Sequence, residues 1–145
     1  MIAQFIKKHK KLFIGIVAIV VIAVLFGVDY CVAKTYKMEV YSMSEEIVYA
    51  DNKKPVTIAI SLTQFGKPVE GHSLYAVAVG GGRLKANRVL TNEDGIAEFV
   101  YVPYSSNKFM PAVPITINVI DESNSWVFEV NVEFSTVINL VDKEI

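Results

Sequence analysis

Residues 12–28, LFIGIVAIVVIAVLFGV, contain seventeen consecutive positions without a charged or strongly polar side chain. As a helix rising ~1.5 Å per residue, this run spans ~26 Å, close to the ~30 Å hydrocarbon core of a bilayer. A helix packed on a soluble core keeps a polar stripe for solvent, and this run has none. The sequence therefore predicts a transmembrane helix over 12–28. KKHKK at 7–11 places four lysines immediately before it, and Asp29 follows it. Lysine-rich flanks stay on the cytoplasmic side, so 1–11 is expected as a cytoplasmic tail and everything beyond Asp29 outside the cell membrane. Phe13, Phe26 and Tyr30 stand near the ends of the run, where aromatic rings favour the headgroup region. Ala23 and Gly27, in AVLFG, have the small-xxx-small spacing that lets two membrane helices approach closely, although alanine-rich apolar sequence produces this spacing by chance as well.

A cleaved secretory signal competes with this reading. Lysines followed by an apolar stretch fit it, and Cys31 and Ala33 are small residues at −3 and −1 of a cut after Ala33. The run is longer than the usual ~7–15 residue signal core, which favours an uncleaved anchor. Asp29 and Tyr30 stand where a lipoprotein signal has small residues. Cys31 is the only cysteine, so an internal disulfide is impossible and the outer domain must depend on its apolar core. The 14 basic residues less the four of 7–11 leave ten after the helix, against 15 acidic ones, a net charge near −5. That balance disfavours nucleic acid, whose binding surfaces are basic.

Beyond residue 34 no helical periodicity appears, and period-two alternation takes over. KMEVYS and EIVYA each suit an extended strand. In 55–63, PVTIAISLT, apolar Val56, Ile58, Ile60 and Leu62 alternate with Thr57, Ala59, Ser61 and Thr63. SLYAVAVGGG runs into three glycines, LKANRVL suits a short edge strand, and IAEFVYV and ITINVID follow. WVFEVNVEFSTVINL is predicted as one long strand with Trp126, Phe128, Val130, Val132 and Phe134 on one face. Seven to eight short strands separated by turns describe an all-β, antiparallel two-sheet sandwich over 38–145. Residues 29–37 are expected as a juxtamembrane connector.

TNEDG at 91–95 decides whether a metal site is present. Calcium takes six to eight oxygens, from loops that alternate acidic residues over about twelve positions. Here three candidates, Asn92, Glu93 and Asp94, are followed at once by strand, so the stretch reads as a turn in which Gly95 accepts a positive φ. GKPVEGHSLYAVAVGGG followed by VLTNEDGIAEFVYVP resembles the bacterial immunoglobulin-like domains of the invasin type. Gly66, Pro68, Val69 and Gly71 match that family's first turn, and Thr91, Asp94, Gly95 and Ala97 approximate its second. The resemblance covers about 60–120 and implies an immunoglobulin-like sandwich whose motif residues are architectural. This chain departs from the family in having one copy and a preceding membrane helix.

Other motifs point to no chemistry. GGGR at 80–83 lacks the lysine and hydroxyl residue of a phosphate loop. His72 is the only histidine outside the N-terminal segment and has no cysteine or histidine beside it for zinc. No Gly-x-Ser-x-Gly elbow accompanies it. No catalytic, metal or cofactor site is expected. The loop at 103–114, PYSSNKFMPAVP, carries Phe109 and Met110, either as an exposed anchor for a partner or folded back to plug the sandwich end. The expected protein is a non-catalytic, single-pass structural or accessory subunit of a membrane or envelope assembly. Its expected partners are the lipid bilayer and other membrane or envelope subunits. An exported adhesion or ligand-binding module is the alternative.

Overall fold

A computed structural model describes residues 9–142. Of the tail expected at 1–11, residues 1–8 lie outside the described part, as do 143–145. One helix, α1 (Lys10–Ala33), is followed by ten strands: β1 (Tyr36–Met43), β2 (Ile47–Tyr49), β3 (Val56–Gln64), β4 (Lys67–Pro68), β5 (Ser73–Val79), β6 (Arg83–Leu84), β7 (Arg88–Leu90), β8 (Ile96–Val102), β9 (Ile115–Asp121) and β10 (Val132–Val141). One sheet has the order β1-β3-β8-β6, with β4 added beside β3, and the other β2-β10-β9-β5-β7.

The alternation read from the sequence is what joins the two sheets. Ile58, Ile60 and Leu62 of β3 and Ala97, Phe99 and Tyr101 of β8 face Ile115, Ile117 and Val119 of β9, Leu74 and Ala76 of β5, and Ile138 and Leu140 of β10. All are buried, and each partly polar outer face stays wet, the pattern of antiparallel sheets. The chain is mostly β and the architecture is the expected immunoglobulin-like sandwich behind one long apolar helix.

Four local readings change. The helix does not stop at residue 28; it continues through 29–33, most of the expected connector, and β1 starts at Tyr36. KMEVYS and EIVYA are the two separate strands expected, β1 and β2, but they join different sheets. β2 pairs with β10 in parallel where an antiparallel sandwich was expected, because a chain that changes sheets meets the last strand running the same way. LKANRVL is likewise divided, β6 closing one sheet and β7 the other. The long strand expected at 126–140 begins only at Val132. The amides of Trp126, Val127 and Phe128 are engaged elsewhere, as described below, and cannot enter a ladder.

The strand directions give the sandwich two poles. β1 leaves the helix beside the end of β3, with Tyr36 opposite Gln64, so this pole holds the turns at 65–72 and 91–95 and the β9–β10 loop at 122–131. β9 begins at the opposite pole and runs seven residues, about 23 Å at 3.3 Å each, so the 103–114 loop lies at the far end.

Candidate functional site at the helix–sandwich junction and the distal loop

From His9 to Val24 every residue of the helical segment is exposed, and contact with the sandwich begins at half-buried Leu25. Four residues later Asp29 is buried at 1% exposure. A carboxylate withdrawn from water must be hydrogen-bonded or become very costly. Its two oxygens accept three consecutive backbone N–H groups of the β9–β10 loop: Oδ1 from Trp126 at 3.3 Å, and Oδ2 from Val127 at 2.8 Å and Phe128 at 2.6 Å. Successive amides turned toward one point make an anion-binding concavity. Here the anion is a side chain of the same molecule.

Further contacts fasten the same joint. The Phe26 and Phe128 rings meet edge to face at 5.8 Å between centroids. Asn124 holds the loop closed, its Nδ2 donating to the Val130 carbonyl and its Oδ1 accepting from the Val132 amide. After the helix, Thr35 Oγ1 donates to the Val32 carbonyl and accepts from Gln64 Nε2 at the end of β3. Tyr36 lies against His72, with ring centroids 5.2 Å apart, and His72 Nδ1 is 2.8 Å from Asp121 Oδ2. Burial, with the charge of Asp121 second, pushes the Tyr36 phenol up from its ordinary value. His72 and Asp121 thus tie the first strand to the second sheet. The neighbouring hydroxyls are engaged in the same packing: Ser73 Oγ reaches Glu122, and Ser123 Oγ accepts the Ser73 amide.

TNEDG is a turn built from its own side chain. Asn92 Oδ1 accepts the amides of Asp94 and Ile96, and the Gly95 amide returns to the Asn92 carbonyl. Buried Thr91 exchanges two bonds with His72 and one with Gly71, linking this turn to the one at 66–71. Gly95 has φ +70, and its carbonyl accepts from Leu62. A Cβ there would sit 2.6 Å from the Leu62 carbonyl oxygen and 2.9 Å from the Val69 nitrogen. Among the described residues no three of His, Cys, Asp and Glu gather as a metal site.

At the distal pole Phe109 is 96% exposed, and Met110 beside it is partly so. Their loop is internally fixed: Asn107 Oδ1 accepts the amides of Phe109 and Met110, and Tyr104 OH bridges the Pro111 carbonyl and the Val113 amide. Asp142 accepts the Ala112 amide. Of the two readings left open by the sequence, the structure has the exposed ring. A depression of about 320 Å³ beside this loop is lined by Asn52, Gly82, Arg83, Tyr104 and Ser105 among others. The glycines at 80–82 all have positive φ, and Tyr101 donates to the Gly81 carbonyl at 3.1 Å, so this run is a sheet-crossing corner. In α1, Ala23 is exposed and Gly27 half-buried, with open space around the Gly27 α-carbon.

The Asp29 clasp is what sequence reading missed. An acid after an apolar run reads as a topology signal, and SWVF after a turn reads as a strand start. Only the spatial meeting of 29 with 126–128 joins them.

No family profile and no curated protein matches the sequence. Among solved structures, a C-terminal fragment of intimin in complex with the intimin-binding domain of the translocated intimin receptor superposes with a TM-score of 0.53 at 12% identity, over 72% of this chain and 33% of that one. The D00-D0 domains of intimin superpose at 0.50 with 14% identity, over 74% of this chain and 48% of that one. A fragment of a conjugate transposon protein from Bacteroides vulgatus is 19% identical over 72% of this chain and 83% of that one, but at a TM-score of 0.43 the likeness is too loose to carry weight. This chain spans about a third to a half of the intimin chains it matches. At these identities the likeness establishes the fold: an immunoglobulin-like sandwich of the intimin and invasin type.

Proposed function

We propose that this chain is a non-catalytic, single-pass membrane protein, with its N-terminus cytoplasmic and its immunoglobulin-like sandwich on the outer face. It acts there as a structural or accessory subunit of a larger membrane or envelope assembly. The observation that carries this reading is the junction: an apolar helix with its side chains turned outward, ending in a carboxylate locked into the sandwich by three amides. An exposed apolar helix of this length suits a hydrocarbon core. The junction also speaks for an uncleaved anchor. Ala33, where a signal would be cut, is helical and buried, and cleavage would remove the acceptor that satisfies the β9–β10 loop.

The distal loop is the outward contact. Phe109 and Met110 stand about 23 Å of strand away from the junction, on a loop held by its own hydrogen bonds. Exposed aromatic and methionine side chains on a rigid loop suit a protein partner, since little rotamer freedom is lost on binding. Ala23 and Gly27 supply a second contact, between membrane helices. The intimin fragment of similar fold was solved in complex with a receptor's binding domain, which makes a protein partner a reasonable expectation here.

Purification of the full chain in mild detergent tests the proposal. A stoichiometric membrane or envelope partner is expected, lost in Phe109→Ala. A monomer with no partner, or a mature protein lacking residues 1–33 by intact mass, contradicts it.

A further inference from the structure

The β9–β10 loop presents Trp126 at 81% exposure and Val127 at 49%, although the amides of Trp126, Val127 and Phe128 are held by Asp29. Tryptophan is rarely left so bare on a water-facing surface. Its depth follows from α1. Between Lys11 and Asp29 lie eighteen helical rises, about 27 Å, so a lysine at one boundary of a ~30 Å core puts Asp29 at the other. Phe128 of the loop packs on Phe26, three residues and about 4.5 Å further into the bilayer than Asp29. A loop bonded at the level of Asp29 and touching Phe26 cannot clear the headgroup layer.

A second feature stands at the same pole, on the other sheet. Phe65 and Gly66 form the two-residue turn between β3 and β4, with Gln64 opposite Lys67. Both have positive φ, 51° and 76°. Such a turn favours Asn-Gly, and a bulky ring in the left-handed region is strained. The ring is nevertheless 80% exposed, so it gains nothing from packing in return. Gln64, its predecessor, is bonded to Thr35 at the end of α1, which puts the turn beside the membrane exit. Lys34 Nζ over the Tyr30 ring at 4.5 Å adds an amphipathic pair of the kind found at interfaces.

We propose that this pole of the sandwich rests in the lipid interface of the outer leaflet, with Trp126 and Phe65 inserted among headgroups on either side of α1. The occupant is lipid because the surface is continuous with the helix that the proposed function places in the bilayer, on which this inference rests. At the same pole Glu70, Glu93 and Asp94 outnumber Lys34 and Lys67, and Glu122 is paired with Arg88, so zwitterionic lipid fits better than anionic lipid. The consequence is mechanical: three contacts fix the tilt of the sandwich, and the Phe109 loop is held pointing away from the membrane.

Trp126 is the only tryptophan, so it reports its own depth. Full-length protein is reconstituted in phosphatidylcholine vesicles containing lipid brominated near the top of the acyl chains. Flotation of the vesicles is measured alongside, and its failure overturns the membrane reading itself. With flotation intact, the expected result is blue-shifted emission, strong quenching by the brominated lipid, and weak quenching by aqueous iodide. Emission as in water, with iodide quenching and none by brominated lipid, overturns the proposal. In Trp126→Phe with Phe65→Trp the probe moves to the second site, where lipid quenching is again expected; an unquenched tryptophan there overturns the two-point contact.

Discussion

Substitution of Gly95 by alanine separates the two reasons a glycine stands in TNEDG. The first is conformational: φ +70 costs an alanine about 1–2 kcal/mol. The second is steric, because the new Cβ would meet the Leu62 carbonyl at 2.6 Å, the Val69 nitrogen at 2.9 Å and Pro68 Cα at 3.1 Å. All three are backbone atoms and cannot rotate aside, and forcing atoms into packed space costs typically ~1–3 kcal/mol. The sum is roughly 2–5 kcal/mol, a large part of the ~5–15 kcal/mol that holds a domain of this size. At about 5 °C per kcal/mol for a domain of ~100 residues, the midpoint should fall by roughly 10–25 °C. Gly66→Ala is the control, since φ is +76 but no atom lies within 4 Å; only the conformational part, ~1–2 kcal/mol, applies there. The assay is thermal melting of the full chain in detergent, followed by the β signal in circular dichroism. Equal midpoints for the two variants would refute the view that this turn exists to seat β8 against β3 and the 66–71 turn.

Further outcomes follow from the same structure. Calcium should leave the midpoint unchanged, and Asp94→Asn should shift it by no more than about 0.5 kcal/mol, as expected of a surface change; a calcium-dependent rise would restore a metal role. Asp29→Ala, which removes the acceptor of three amides, should sharply speed hydrogen exchange at 126–128 while exchange in the β3–β8 ladder stays slow; unchanged exchange at 126–128 would refute the clasp. Burial pushes the Tyr101 phenol from 10 up to about 12. The fold therefore favours the protonated form: stability is full below pH 10 and should decline by roughly 2 kcal/mol as pH rises to 12. Tyr101→Phe should lose that alkaline decline, as read by urea melts at pH 9 and near 12.

What was legible in the sequence is what local pattern encodes. Period-two alternation at Val56, Ile58, Ile60 and Leu62 leaves one register in which the apolar side faces a core, so the strands and the sandwich could be read directly. The turns at 66–71 and 91–95 were readable because only glycine accommodates their φ or their crowding. The hidden part is long-range. WVFEV alternates as well as VEFSTV does, yet Asp29, 97 residues before Trp126, draws its amides out of the sheet. Asp121 likewise falls on the inward face of β9, at the position after Val119 where an apolar residue is expected, and is satisfied by His72 49 residues away. At the distal site the pattern named Phe109 and Met110 but could not choose between plug and anchor, since that depends on the hydrogen bonds of Asn107 and Tyr104.

The central claim, that α1 crosses the membrane and carries the sandwich on its outer side, meets its most direct test at the distal loop. Lys108→Cys in a Cys31→Ser background places one thiol beside Phe109, to be labelled in spheroplasts with a membrane-impermeant maleimide. The expected result is labelling without lysis, on a protein that stays in the pellet after alkaline carbonate. Labelling only after permeabilisation, or release of the protein by carbonate, would contradict it.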